Sequence, residues 1–154
     1  MGIRLAALTF VVCFATGAAA DEVCRDDTLW LRGDFGTARF SVSIADDAEE
    51  RARGLMFVET MPTSNGMLFV YDVARPVAFW MKNTLIPLDI LFADDTGTVI
   101  RVHENAIPGD LTGLPSGGPA QYVLEINGGL ARQMGIGPGA QMRHPSIDEP
   151  AWPC

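Results

Sequence analysis

Residues 79–92 read FWMKNTLIPLDILF, two apolar runs separated by Asn83–Leu88, with Pro87 near the start of the second. Turn-forming residues between two apolar runs predict a β-hairpin. With Lys82 opposite Asp89, Met81 faces Ile90, Trp80 faces Leu91 and Phe79 faces Phe92. Side chains alternate along a strand, so this register sorts them by face. One face carries Phe79, Met81, Ile90 and Phe92, which is core material. The other carries Trp80, Lys82, Asp89 and Leu91, a charged pair beside a flat ring, and this polar face is the candidate site.

Working outward, the first 20 residues read as a leader. Arg4 supplies a positive start, Leu5–Phe14 an apolar stretch, and Ala18–Ala20 a small-residue cleavage site. Cleavage after about Ala20 gives a periplasmic or secreted protein with no membrane anchor, since no later stretch is apolar enough for a membrane helix. The remaining 134 residues suffice for one domain with a core. Without Arg4, ten basic side chains face 19 acidic ones, a formal net charge of −9. Such a balance argues against nucleic acid or an anionic membrane as partner. Two cysteines remain in that region, Cys24 and Cys154, one near each end. In an oxidising compartment the pair is expected to form one disulfide.

Strand patterns cover Thr28–Arg32 and Thr37–Ile44; in the second, Phe40, Val42 and Ile44 alternate with Arg39, Ser41 and Ser43. Asp46, with Glu49 three residues on, reads as a capping box opening a short helix that runs to about Arg53 and buries Ala48, Ala52 and Leu55. Gly54 ends it. Gly66–Tyr71 reads as a buried strand, Arg75-Pro76 as a break, and Thr98–His103 as a further strand. Ile107–Pro119, with four glycines and three prolines, reads as a loop. Ala120–Ile126 resumes strand character, Asn127 caps a second short helix over Leu130–Met134, and Gln141–His144 is the last strand. About eight short strands and two short helices, with no alternating strand–helix pattern, predict a mainly-β, single-domain sandwich or partly open barrel. The domain plan is a leader at 1–20, an extension at 21–36, the β domain at 37–145 and a tail at 146–154.

Lys82 is the only lysine beside ten arginines. An ammonium opposite Asp89 stays charged, which suits holding an anion better than acting as a neutral nucleophile. Trp80 offers a stacking surface. Asn83 sits in the turn, where it is able to bond its own backbone. Glu125 lies in the apolar run Val123–Ile126; pointing inward it needs a partner, for which Arg53 and Lys82 are candidates, and pointing outward it needs none. The histidines, His103 and His144, show no ligand spacing, and the methionines no paired spacing, so no metal and no cofactor is expected. No nucleophile elbow, phosphate loop or dinucleotide motif is present.

The segments ERARGLMFVETMPTSNGMLFVY, FWMKNTLIPLDILFADDTGTVI and VLEINGG, in that order, resemble the domain-of-unknown-function 192 family. The resemblance runs from about Phe40 to His144. The matching positions are Arg53, Gly54, Leu55, Met56, Gly66, Met67, Phe79–Thr84, Pro87–Ile90 and Glu125. It implies a small, mainly-β, often exported domain, and no established activity, ligand or catalytic residue. The cysteines lie outside the matching region.

The functional expectation is a monomeric, non-enzymatic ligand-binding or accessory module with a polar cleft on the hairpin, built from Trp80, Lys82, Asn83, Asp89, Arg53 and Glu125. Its ligand would be a small anionic or sugar-like molecule. One alternative is a hydrolase or lyase using Asp89 or Glu125 as acid and base, with Lys82 stabilising an anion. The other is a purely structural domain whose polar cluster closes the core. Two carboxylates converging on an open cleft would favour the enzyme; a sealed ion pair would favour the structural domain.

Overall fold

The computed structural model describes residues 23–154, so the expected leader falls outside the described residues. Among the described residues seven strands form one sheet: β1 Thr28–Gly33, β2 Gly36–Ala45, β3 Asn65–Phe79, β4 Leu88–Ala93, β5 Val99–Ala106, β6 Leu114–Asn127 and β7 Gln141–Arg143. Two short helices accompany them, α1 Ala48–Arg53 and α2 Leu130–Met134. The strand order is β5-β4-β6-β3-β2-β1-β7. β2 and β3 run parallel and the other neighbours antiparallel. The sheet curls until its two ends meet. Thr98 bridges Gln141, Val99 N donates to Ala140 O at 2.7 Å, and Met142 N donates to Gly97 O at 2.8 Å. The mainly-β, partly open barrel is the observed fold. β1 lies within the stretch 21–36 read as an extension, and it pairs with β2 on one side and β7 on the other.

The predicted hairpin does not form. β6 lies between β3 and β4 and is antiparallel to both. β3 and β4 are therefore parallel to each other, and parallel strands need a crossover where a hairpin turn would join antiparallel ones. Residues 80–87 make that crossover, with Asn83 in the left-handed region at φ 54°. Lys82 is thus not opposite Asp89. The apolar half of the reading survives for a different reason: Met81, Ile90 and Phe92 belong to one buried cluster, and Phe79 stacks edge-on against Phe69 at 4.9 Å and Phe92 at 5.5 Å.

Alternation along β4 and β6 builds two cores. Leu91, Ala93, Tyr122, Leu124 and Ile126 face the concave side, joined there by Leu29, Leu31, Phe40 and Met142. Leu88, Ile90, Phe92 and Val123 face the other side, together with Phe69 and beneath Leu55 and Met81. Both faces of the central strands are consequently apolar apart from the buried Asp89 and Glu125.

Local signals shift by a residue or two. The N-cap of α1 is Asp47, not Asp46; its side chain accepts from Glu50 N at 2.8 Å, while Glu50 Oε2 accepts from Asp46 N. Ala48 and Ala52 are exposed, because α1 is a single turn and a half lying on the surface and only the following Leu55 reaches the core. β3 continues through Arg75-Pro76 on register shifts between Val70 and Arg75 and between Pro76 and Ala78. β6 begins at Leu114, which shortens the expected loop, and Gly129 rather than Asn127 precedes α2. Asn127 Nδ2 instead donates to Met61 O and Pro62 O, tying down the long connection after α1. Cys24 and Cys154 form the expected disulfide, with Cα atoms 5.6 Å apart across a sequence separation of 130. Nearby, the Trp152 ring lies within 4.7 Å of the Arg32 guanidinium and 5.6 Å of that of Arg143.

Candidate functional site

Glu125 stands on β6 beside Met67 of β3 and Ile90 of β4, so its side chain shares their face of the sheet. Two segments cross that face without closing over it. One is the C-terminal end of α1 with the residues that follow, Arg51–Met56; the other is the run from Ala78 to Thr84. Between them opens a cleft of about 200 Å³, walled by Phe69, Tyr71, Phe79 and Trp80 and lined also by Arg51, Arg53, Lys82, Thr84 and Glu125. Gly54 holds φ 48° at this point, and a side chain there would approach the Phe69 ring at 3.2 Å.

The rings fix the cations. Arg51 and Arg75 each sit 5.1 Å from the Tyr71 ring centre, and Lys82 Nζ is 5.2 Å from that of Trp80. Attraction between a cation and a ring face restricts these long side chains. Arg51 also donates to Val70 O at 2.9 Å and to Asp46 O. Arg53 and Lys82 are exposed, and Trp80 is 49% exposed. The mouth of the cleft is therefore positive.

Its floor is different. Glu125 is 5% exposed, and its Oε2 has no hydrogen-bond partner among the described residues. Burial pushes its carboxyl up from 4.5 to about 8, because removal from water disfavours the charged form. Neither Arg53 nor Lys82 supplies the partner that an inward Glu125 requires. Burial also raises the Tyr71 phenol, opposed by Arg51 and Arg75. Near pH 7 the cleft presents a neutral acid below and cations above.

Of the six candidate residues, Arg53, Trp80, Lys82 and Glu125 line this one cleft. Asn83 does not; its carbonyl accepts from Phe57 N at 2.8 Å, and its side chain contacts Met56 Sδ at 3.8 Å. Asp89 is elsewhere altogether. It is fully buried at the start of β4, where it accepts from Asn105 N at 2.6 Å, Gly129 N at 2.8 Å and Ala131 N at 2.6 Å. Those bonds join β4, the end of β5 and the start of α2, so Asp89 is a clamp, not a wall of the cleft. Arg51, Phe69, Tyr71 and Thr84 are cleft residues that the sequence reading missed. Their proximity depends on β6 entering between β3 and β4, which no local pattern announces. Among the described residues no three His, Cys, Asp or Glu side chains converge as a metal site requires.

Residues 31–144 match the domain-of-unknown-function 192 family, described as an uncharacterized ACR. The chain belongs to that family. Among solved structures it is similar to a protein of unknown function from Novosphingobium aromaticivorans, at 41% identity over 75% of this chain and 82% of that one, with a TM-score of 0.73. It is also similar to a protein from Sinorhizobium meliloti provisionally named a transcription regulator. There the identity is 37% over 79% of this chain and 95% of that one, with a TM-score of 0.74. No curated protein matches. Glu125, Trp80 and Lys82 all fall inside the family's matched span.

Proposed function

We propose that this DUF192 domain is a binding module for a small molecule that carries an anionic group, and that the cleft over Glu125 is its site. The observation that carries this reading is the buried Glu125 carboxyl, whose Oε2 has no partner among the described residues, at the floor of an open cleft where Arg51 and Lys82 lie over aromatic rings. Buried polar groups are ordinarily satisfied, and an unsatisfied one lining a cleft marks the place where a ligand completes the set. Binding is favoured over catalysis because, among the described residues, Glu125 is the one carboxyl lining the cleft: Asp89, the second candidate acid, has its acceptors engaged by backbone amides. The open cleft and the absence of a Lys82–Asp89 pair argue against a purely structural role. The Cys24–Cys154 disulfide supports an oxidising compartment, in keeping with a periplasmic or secreted protein.

A thermal-shift screen with small anionic and sugar-like metabolites tests the reading, on wild type, Lys82→Ala and Arg53→Ala. A ligand that raises the melting temperature of wild type and loses that effect in both variants is the expected result. No shift with any ligand, or equal stabilisation of all three proteins, overturns it. One observation favours a second reading, a hydrolase or lyase. Glu125, protonated near neutrality, has the property required of a general acid, and Lys82 would hold a developing anion. Turnover of a cleft ligand that disappears in Glu125→Gln distinguishes this from binding alone.

A further inference from the structure

The cleft is polar at both ends, and its ends differ in kind. At the mouth, Arg53 and Lys82 are exposed cations, and Arg51 lies against Tyr71. At the floor, Glu125 Oε2 lacks a donor among the described residues. The elements around Glu125 bring these groups toward it. α1 brings Arg51 and Arg53, β3 brings Tyr71 and the thioether of Met67, the crossover 80–87 brings Lys82 and Thr84, and β4 brings the apolar Ile90. None donates to Oε2; the Thr84 hydroxyl donates to Lys82 O at 3.3 Å.

A buried carboxyl without a donor is costly, and a bound group carrying N–H donors and positive charge removes that cost. An anion held at the mouth pairs with the cations there and leaves the acceptor Oε2 at the floor as it is. A plain cation would satisfy the floor and be repelled at the mouth. A molecule with both charges, held apart, satisfies both ends.

We infer that the cleft takes a zwitterion with separated poles, an ω-amino-acid-like molecule whose carboxylate lies between Arg53 and Lys82 and whose ammonium reaches Glu125. This rests on the cleft being a binding site, as proposed above. The cleft volume of about 200 Å³ suits a short-chain metabolite and not a polymer. Pairing with an ammonium favours the ionised carboxylate. Glu125 is neutral near pH 7 before binding, so binding drives its proton into solvent. A hydroxyl or a second anion at the floor would leave the proton in place.

The probes are γ-aminobutyrate, δ-aminovalerate and ε-aminocaproate, each beside its ω-hydroxy counterpart, titrated calorimetrically into the whole protein near pH 7. Buffers of different ionisation enthalpy report the protons exchanged. We expect at least one amino acid of the series to bind roughly tenfold or more tightly than its hydroxy counterpart, as a desolvated charge pair allows. It should release about one proton per site. Glu125→Gln should abolish both the preference and the proton release, while Lys82→Ala should weaken amino and hydroxy ligands alike. Equal affinity for the two series, no proton release, or no binding by any amino acid of the series overturns the inference. If the series fails while another anion still binds in a Lys82-dependent way, the binding-module reading stands and only the zwitterion falls.

Discussion

Replacing Glu125 by Gln should stabilise this protein at neutral pH and leave it little changed in mild acid. In the folded chain burial raises the carboxyl from 4.5 to about 8. Below about pH 4.5 the group is protonated in both folded and unfolded chains and adds no pH dependence. From there to about pH 8 the unfolded chain loses its proton while the folded chain keeps it. The folded state then binds more protons, so stability falls as pH rises, by about 1.4 kcal/mol per pH unit. The deficit is about 3 kcal/mol at pH 7 and levels off at about 5 kcal/mol above pH 8. Gln fills a similar volume and does not ionise, so the variant escapes this loss. Urea unfolding of both proteins, from about pH 4.5 to about pH 9, isolates the effect, because all other titrating groups are shared. The stability difference should widen with pH across that window and then become constant. A difference that stays flat with pH, or a variant weaker than wild type at every pH, would refute the claim that burial holds the Glu125 carboxyl in its protonated form.

Asp89→Ala should cost at least about 3 kcal/mol, since three backbone amides lose their acceptor and each buried unsatisfied donor costs about 1–3 kcal/mol. Urea unfolding measures the loss, and amide exchange at Gly129 and Ala131 should quicken; unchanged exchange there would contradict the clamp. Cys154→Ser should lose up to about 5 kcal/mol through the larger unfolded ensemble. Reductant should cost wild type the same amount and the variant nothing, and an equal effect on both would count against the disulfide as the cause. His144 is buried, with Nδ1 accepting from Ser146 N and Nε2 donating to Asp26 O, and burial lowers its pKa. Below its unfolded value of about 6.5 only the unfolded chain gains the proton readily, so stability falls as pH drops below about 6.5. A variant at His144 that cannot ionise should lose that acid sensitivity in unfolding curves compared with wild type.

The composition and the alternation in Phe40–Ile44 already point to a mainly-β domain, and the spacing of Phe79, Met81, Ile90 and Phe92 correctly groups them in one apolar layer. What a linear pattern cannot convey is which strand lies beside which. An apolar run, a turn-rich gap and a second apolar run describe a hairpin and a short crossover equally well. The difference is β6, whose residues lie more than twenty positions beyond the end of β4. That single insertion separates Asp89 from Lys82 and brings Glu125 beneath Trp80. Glu125 itself was legible as a carboxyl in an apolar run; its lack of a partner was not, because orientation on β6 and the reach of Arg53 are three-dimensional facts. Arg51 and Tyr71 escaped for the same reason, since nothing in one chain signals that a helix side chain will lie on a ring twenty residues later.

The bonding of Thr98 and Val99 to Ala140 and Gln141 has a meaning beyond architecture. Sheet borders with free amides and carbonyls invite another chain to dock strand to strand, which is how soluble β proteins begin to polymerise. By stitching the start of β5 to the residues around β7 at that seam, this domain occupies there the groups an incoming chain would use, while the rest of β5 carries Arg101 and Glu104, charges of the kind that discourage docking on an open border.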